Sequence, residues 1–141
     1  MKRVHFSFLP IFILLIVAGM LGCKGSSGNR QWMKTLDSET LAAAKAWKAD
    51  RMGCNRIRVV PLAETLSPRL KDAQLKEAQI AELLGDPEMR HVGEEHTILS
   101  YYFDGECGED GKLKDGTVYC LLQFFLGNKS KIIEMSSVVC G

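Results

Sequence analysis

An apolar segment without Asp, Glu, Lys or Arg runs from Val4 to Gly22 and ends at a cysteine, Cys23. Two basic residues precede the segment and small residues surround its end, which is typical of a secretory signal peptide. At roughly 19 residues it could instead just span a bilayer as a permanent anchor. The cysteine favours a signal peptide over a permanent anchor. Residues 1–22 are therefore predicted to be a signal that takes no part in the folded domain.

The four residues Met20-Leu21-Gly22-Cys23 resemble the lipobox of bacterial lipoproteins. In those proteins the signal is cut immediately before the cysteine, and that cysteine carries acyl chains, palmitate among them. Cys23 is therefore the predicted lipidation site. Several chains on one residue would hold the protein firmly at a membrane, because each buried methylene contributes about 0.8 kcal/mol.

Residues 23–35 are predicted to be a lipid-anchored tether, because small polar residues follow Cys23. In Gram-negative lipoproteins an Asp after the lipidated cysteine marks retention at the inner membrane, whereas this chain has Lys24. The resemblance therefore implies an outer-membrane location facing the periplasm. Residues 36–141 remain as one small domain.

The charge of the mature chain is close to neutral. Removing the two basic leader residues from the 18 Lys and Arg leaves 16, against 17 Asp and Glu, for a net charge of −1. Nucleic-acid binding needs a clustered basic surface that neutralises phosphates. A nucleic-acid partner is therefore not expected.

Four cysteines remain in the domain when Cys23 is assigned to lipid, namely Cys54, Cys107, Cys120 and Cys140. Outside the cytoplasm such an even set is expected to form disulfides, with three possible connectivities. A zinc site is disfavoured because no C-x-x-C spacing occurs. A Cys107–Cys120 bond would fold the intervening loop back onto its strand, leaving Cys54 to pair with Cys140, and this connectivity is the prediction.

Helical signals begin the domain. A first helix is predicted over residues 36–53, with Asp37 or Ser38 as the N-cap and Gly53 as the stop signal. Residues 55–61 are β-branched at their centre and end in proline, so an extended segment is predicted there.

A second helix is predicted to start at Ser67 and Pro68, an N-cap followed by proline at the first helical position. Apolar residues then recur at helical spacing as far as Leu84. Gly85 can take the left-handed conformation and Pro87 cannot continue the helix, so the helix is expected to end there.

Extended segments follow the helices. Three of them are rich in aromatic and β-branched residues and bounded by turn residues, at residues 97–103, 117–126 and 131–139. The predicted fold class is therefore α+β, with the order α-α-β-β-β and an antiparallel sheet. Side chains alternate across a strand, so a face without helices would carry aromatic residues into solvent or against a partner.

Residues 80–87 (IAELLGDP), followed by Tyr101-Tyr102-Phe103 and by Lys131-Ile132-Ile133 after a glycine turn, are similar to the small SmpA/OmlA (BamE-like) lipoproteins. The resemblance covers about residues 68–138. It implies two helices packed on a three-stranded antiparallel sheet, and a partner in the outer-membrane β-barrel assembly machinery. A similar two-helix, three-strand unit occurs in β-lactamase-inhibitor-like domains, which also bind proteins.

Metal ligation is the main alternative reading of two acidic stretches. His91, Glu94, Glu95 and His96 lack the i, i+4 helical frame of a zinc motif, so a solvated loop between helix and strand is predicted. The second stretch is predicted to be an exposed hairpin loop, because it fails the EF-hand frame. Its carboxylates are Asp104, Glu106, Glu109, Asp110 and Asp115.

Catalytic signatures are not found in the sequence. It contains no phosphate loop and no nucleophile elbow, and thiols that form disulfides cannot serve as nucleophiles. The expectation is a non-enzymatic, lipid-anchored envelope protein without a cofactor, which binds a protein partner or has a structural role. An extracytoplasmic inhibitor or ligand-binding module is the alternative.

Overall fold

Helices come first and strands follow in the computed structural model, which describes residues 30–141. The α+β class is confirmed, but the domain has three α-helices and four strands where two and three were predicted. The helices are α1 (Ser38–Ala49), α2 (Val60–Asp72) and α3 (Glu77–Leu84), with short 3-10 helices at Arg30–Thr35 and Arg51–Gly53. The strands are β1 (Met89–Val92), β2 (His96–Phe103), β3 (Cys120–Gly127) and β4 (Ile133–Cys140), and they form one antiparallel sheet in the order β1-β2-β3-β4.

The N-terminus of α1 confirms the predicted cap. The carboxylate of Asp37 accepts a hydrogen bond from the Thr40 amide at 2.7 Å, which satisfies one of the free amides of the first turn. Arg69 of α2 bonds both Asp37 (3.2 Å) and Glu39 (2.8 Å), so the cap also ties α1 to α2. Ala43, Ala44 and Trp47 form the buried side of the helix.

The prediction that α2 starts at Ser67 was wrong. The helix begins at Val60 with Pro61 in its first turn, and Pro68 lies inside it. An internal proline costs about 3 kcal/mol or more. Leu66 and Leu70 are fully buried on the same side of α2 and each contributes about 1.5–3 kcal/mol, so packing offsets the proline.

The single predicted helix is broken in two between Asp72 and Glu77. Gln74 takes a left-handed conformation with φ of 49°, which ends α2. The turn sends the Leu75 side chain into the core and lets its carbonyl accept a bond from the Ile133 amide of β4 at 3.0 Å. The predicted end of α3 is confirmed, because Gly85 has φ of 88° and its amide bonds the Ala81 carbonyl.

The sequence analysis did not predict strand β1, and it placed His91 and His96 in a loop between helix and strand. The predicted loop is instead a β-hairpin, with His91 in β1 and His96 in β2. All four residues of β1 are exposed, so neither side of the strand has to be apolar. Its sequence therefore lacks the alternation of apolar and polar residues by which a strand is recognised.

A buried polar network joins the segment after α1 to the sheet. Asp50 is fully buried and its carboxylate accepts hydrogen bonds from the amides of Asn55, Ile57 and Arg58. This network fixes residues 55–58 as a turn at the base of α2, where an extended segment was predicted.

Arg58 lies at the centre of the same network and is 1% exposed. Its guanidinium bonds the Glu88 carboxylate at 3.0 Å and the Trp47 and Tyr102 carbonyls at 2.9 and 3.1 Å. The guanidinium carbon also lies 5.0 Å from the centre of the Trp47 ring, within cation–π range. The charge is therefore buried with an ion pair and two bonds to carbonyl oxygens that offset its desolvation.

All four cysteines of the described region form disulfides, but the predicted connectivity was wrong. The bonds are Cys54–Cys107 and Cys120–Cys140. Cys120 and Cys140 lie directly opposite each other in the register of β3 and β4.

The other bond follows from where β2 ends. The Asp104 amide bonds the Arg58 carbonyl, so the chain leaves β2 beside residues 53–58. Three residues later Cys107 reaches Cys54, with 5.4 Å between their Cα atoms. The spacing of cysteines in the sequence could not show this pairing, because the pairing depends on the segment after α1 lying beside the end of β2.

Candidate protein-binding face

The register of the sheet separates a buried face from an uncovered one. Leu99, Tyr101 and Phe103 of β2 pair with Phe124, Leu122 and Cys120 of β3, and all six side chains are buried beneath the helices. The opposite side is called the open face here. Within residues 30–141 it comprises twelve side chains: Met89, His91, His96, Ile98, Ser100, Tyr102, Leu121, Gln123, Phe125, Met135, Ser137 and Val139.

One end of the open face is aromatic. The rings of Tyr102 and Tyr119 meet edge to face with their centres 4.8 Å apart. The Tyr102 hydroxyl donates to the Met89 sulfur at 3.2 Å, and Leu121 and Val139 lie alongside in register. Met89 and Val139 are 42% and 49% exposed, so apolar surface here contacts solvent.

The other end is also largely apolar. Ile98, Phe125 and Met135 lie side by side across β2, β3 and β4. The His96 ring meets Phe125 edge to face, and Met135 is 49% exposed. A partner would therefore find apolar contacts at both ends of the face.

A polar row crosses the middle of the open face. The Gln123 amide donates to the Ser100 hydroxyl at 3.0 Å, and the Ser137 hydroxyl lies 3.5 Å from the Gln123 carbonyl oxygen. These three side chains bond one another, so they can be covered by a partner with less desolvation cost than free polar groups. The row links the side chains of β2, β3 and β4 across the face.

A carboxylate lies at the margin of the apolar end. Glu134 accepts a hydrogen bond from the Ser130 hydroxyl at 2.7 Å and lies 3.1 Å from the His96 ring nitrogen. The Ser130 bond, together with His96, holds the pKa of Glu134 below its usual value, although partial desolvation opposes the shift. The carboxylate therefore stays ionised at neutral pH and marks the polar rim of the face.

Burial has the opposite effect at the aromatic end. Desolvation raises the pKa of the Tyr102 hydroxyl, with a further contribution from Tyr119. The phenol thus stays neutral and keeps its role as a hydrogen-bond donor.

The acidic hairpin loop joins β2 to β3 next to the aromatic end. Its carboxylates do not converge on a site: Glu106 pairs with Lys114 at 3.3 Å, and Asp110 accepts from the Lys112 amide. A bridge between Cys107 and Leu113 and the Cys54 disulfide hold the loop in place. Among residues 30–141 no group of three His, Cys, Asp or Glu side chains could hold a metal ion.

Cys23 and the predicted signal and tether up to residue 29 lie outside the described residues, so the structure has no bearing on the predicted lipidation. In the part of the chain that is described, no helix is both long and apolar enough to cross a membrane.

Two features of the site were missed in the sequence. Met89 and His91 belong to a strand that shows no alternation, and Met135, Ser137 and Val139 could be placed on a face only once the register was known. The sequence of β4 offered no such signal, because residues 135–140 (MSSVVC) do not alternate between apolar and polar.

Comparison of the chain with known family models, with curated proteins and with solved structures gave no match.

Proposed function

We propose that this chain is a non-enzymatic, lipid-anchored envelope protein that binds another protein through the open face. The observation that carries the proposal is the uncovered sheet face, which presents Tyr102, Phe125 and Met135 over an internally bonded polar row. Interfaces are enriched in such aromatic and methionine side chains relative to the rest of a protein surface. Exposed apolar patches of this kind on small domains mark binding surfaces.

Membrane attachment through Cys23 is part of the proposal. The lipobox-like residues before Cys23 and the small polar residues after it support an acylated N-terminus at the outer membrane. Two disulfides in the folded domain are consistent with an oxidising compartment such as the periplasm. The likeness to SmpA/OmlA lipoproteins supports the same location.

Loss of the anchor is the first test. Replacing Cys23 with serine should move the protein from the membrane fraction to the soluble periplasmic fraction, because no acyl chain can be attached. Fractionation followed by immunoblotting measures this directly. Cys54→Ser, which leaves the lipobox intact, is the matched control and should stay with the membrane. Equal membrane retention of a Cys23→Ser protein from which residues 1–22 have been cut would refute acylation at this position.

Loss of the partner is the second test. Phe125→Lys places a charge at the centre of the apolar end, and hot-spot disruption of this kind costs about 2 kcal/mol or more, roughly 30-fold in affinity. Ala42→Lys adds the same charge to the exposed side of α1, away from the sheet, and should bind normally. Affinity capture from solubilised envelopes compares the two, and equal recovery of the partner from both variants would contradict the proposal.

The identity of the captured protein separates the two candidate roles. Subunits of an outer-membrane assembly favour the envelope role implied by the SmpA/OmlA resemblance. A soluble enzyme would favour the inhibitor-like alternative. The structural feature that favours the inhibitor-like alternative is the acidic loop beside Tyr119. A disulfide holds this loop, and the loop could insert into the cleft of an enzyme.

A further inference from the structure

The two edges of the sheet differ in how well they are protected. The β1 edge is only four residues long, and Arg90 there is bound to Glu77 at 2.6 Å. Short, charged edge strands resist pairing with other chains. The β4 edge is eight residues long and carries no charged residue from Met135 to Gly141. Glu134 and the register shift between Phe125 and Leu126 lie at its start, so only the stretch from Met135 onward has neither a charge nor a bulge to protect it.

Backbone groups along β4 point alternately toward β3 and away from it. The Cα atoms of Cys120 and Cys140 are 4.0 Å apart, which identifies them as a pair that does not exchange hydrogen bonds. The next pair along, Tyr119 and Gly141, is hydrogen bonded through the Gly141 amide. Alternation then directs the amides and carbonyls of Ser136, Val138 and Cys140 to the free edge.

Only one end of this edge is covered by other residues within 30–141. The Ile133 amide bonds the Leu75 carbonyl, and Lys76 forms a bridge with Ile132. From Ser136 to Cys140 no backbone partner outside the β3 ladder is present among the described residues. Three outward amides and three outward carbonyls are therefore available in a row.

A second copy of this chain fits the edge poorly. Helix α2 lies directly over β4, since the Ser67 hydroxyl bonds the Ser136 hydroxyl at 2.9 Å and Ser136 bonds the Ser67 carbonyl. Paired edge strands would lie about 4.8 Å apart, whereas two helices need about 8–10 Å between their axes. Symmetric pairing of β4 with β4 would force the two α2 helices together. A single extended segment brings no helix with it.

We propose that the β4 edge from Ser136 to Cys140 accepts an extended segment of a partner protein as a fifth strand. The segment is uncharged, because it lies beside a stretch without charge. On the open face its side chains lie beside Ser137 and Val139, and the one beside Val139, which is 49% exposed, is apolar. Main-chain hydrogen bonds would supply affinity and these alternate side chains would supply specificity.

A tethered strand tests whether the edge accepts such a segment. The chain, in detergent, is extended after Gly141 by one threonine, an Asn-Gly turn and seven residues of alternating threonine and valine, which can fold back along β4 as far as Ser136. Hydrogen exchange at the amides of Ser136, Val138 and Cys140 should slow at least about tenfold relative to the unextended chain, because tethering raises the effective concentration to the millimolar range. An extension with proline at alternate positions cannot pair and should give no slowing.

A proline variant provides the matched comparison. Val138→Pro removes an outward amide without touching the β3 ladder, so the sheet should persist while the slowing is lost. Val138→Ala shortens the same side chain but keeps the amide, and should retain the slowing. Unchanged exchange in the extended chain would overturn the proposal. Slow exchange of these amides in the unextended chain would also overturn the proposal. If that protection falls on dilution, a second copy of the chain covers the edge; if it does not change on dilution, the chain covers its own edge.

The partner is tested in cells with a photo-crosslinking residue at Ser137. A defined adduct should form with the unextended chain and disappear when Val138→Pro is introduced or when the tethered strand occupies the edge. An adduct that survives both changes would show that the partner does not use this edge. The proposal is independent of membrane anchoring, because the edge is a property of the folded domain.

Discussion

Replacing Arg58 with alanine is expected to lower the free energy of unfolding by about 3–5 kcal/mol. The substitution leaves the Glu88 carboxylate, only 3% exposed, without its charged partner. It also removes the bonds to the Trp47 and Tyr102 carbonyls and the contact over the Trp47 ring. For a domain of this size, such a loss is a large fraction of the total stability.

Arg69→Ala is the matched control. Arg69 also bonds two carboxylates, but its side chain is 35% exposed and its partners are more so. Exposed pairs contribute about 1 kcal/mol or less. Urea unfolding followed by circular dichroism should separate the two variants by at least about 2 kcal/mol. Equal destabilisation would mean that the Arg58 network is not buried as described.

Loss of either disulfide is the second large effect. Chain-entropy estimates give about 4 kcal/mol for the Cys54–Cys107 bond and about 3 kcal/mol for the Cys120–Cys140 bond, since they close loops with separations of 53 and 20 residues. The paired variants Cys54→Ser with Cys107→Ser, and Cys120→Ser with Cys140→Ser, should be destabilised in that order, as measured by urea unfolding.

Single cysteine variants test the connectivity itself. Among the four cysteines of the described region, Cys107→Ser should free only Cys54, and Cys120→Ser only Cys140. Peptide mapping without reduction identifies these thiols. A free thiol at Cys120 in the Cys107→Ser protein, or at Cys107 in the Cys120→Ser protein, would restore the connectivity predicted from the sequence and contradict the register of β3 and β4.

Local signals in the sequence predicted the features that depend on a few neighbouring residues. The Asp37 cap, the Gly85 stop and the existence of β2, β3 and β4 all follow from short-range chemistry and periodicity. The start of α2 did not, because a cap-like Ser67-Pro68 pair was outweighed by the packing of Leu66 and Leu70. Tertiary contacts decided that helix.

Features that need contact between distant segments could not be predicted. The pairing of Cys54 with Cys107 depends on the end of β2 lying beside residues 53–58, and the burial of Arg58 depends on the same contact. The aromatic residues of the candidate site were recognised in the sequence, but their division between two faces required the register. Tyr102 and Phe125 then fell on the open face, and Tyr101 and Phe124 in the core.

Methionine oxidation in intact cells tests most directly whether the open face is covered by a partner. Met89 and Met135 lie on the open face and are 42% and 49% exposed, whereas Met52 lies in the 3-10 helix after α1 and serves as the internal control. In the purified protein the two open-face sulfurs should oxidise faster than Met52. In intact cells the oxidation of Met89 and Met135 should be severalfold slower than in the purified protein, while that of Met52 is unchanged. If Met89 and Met135 each oxidise as fast in cells as in the purified protein, a protein-binding role for this face is contradicted.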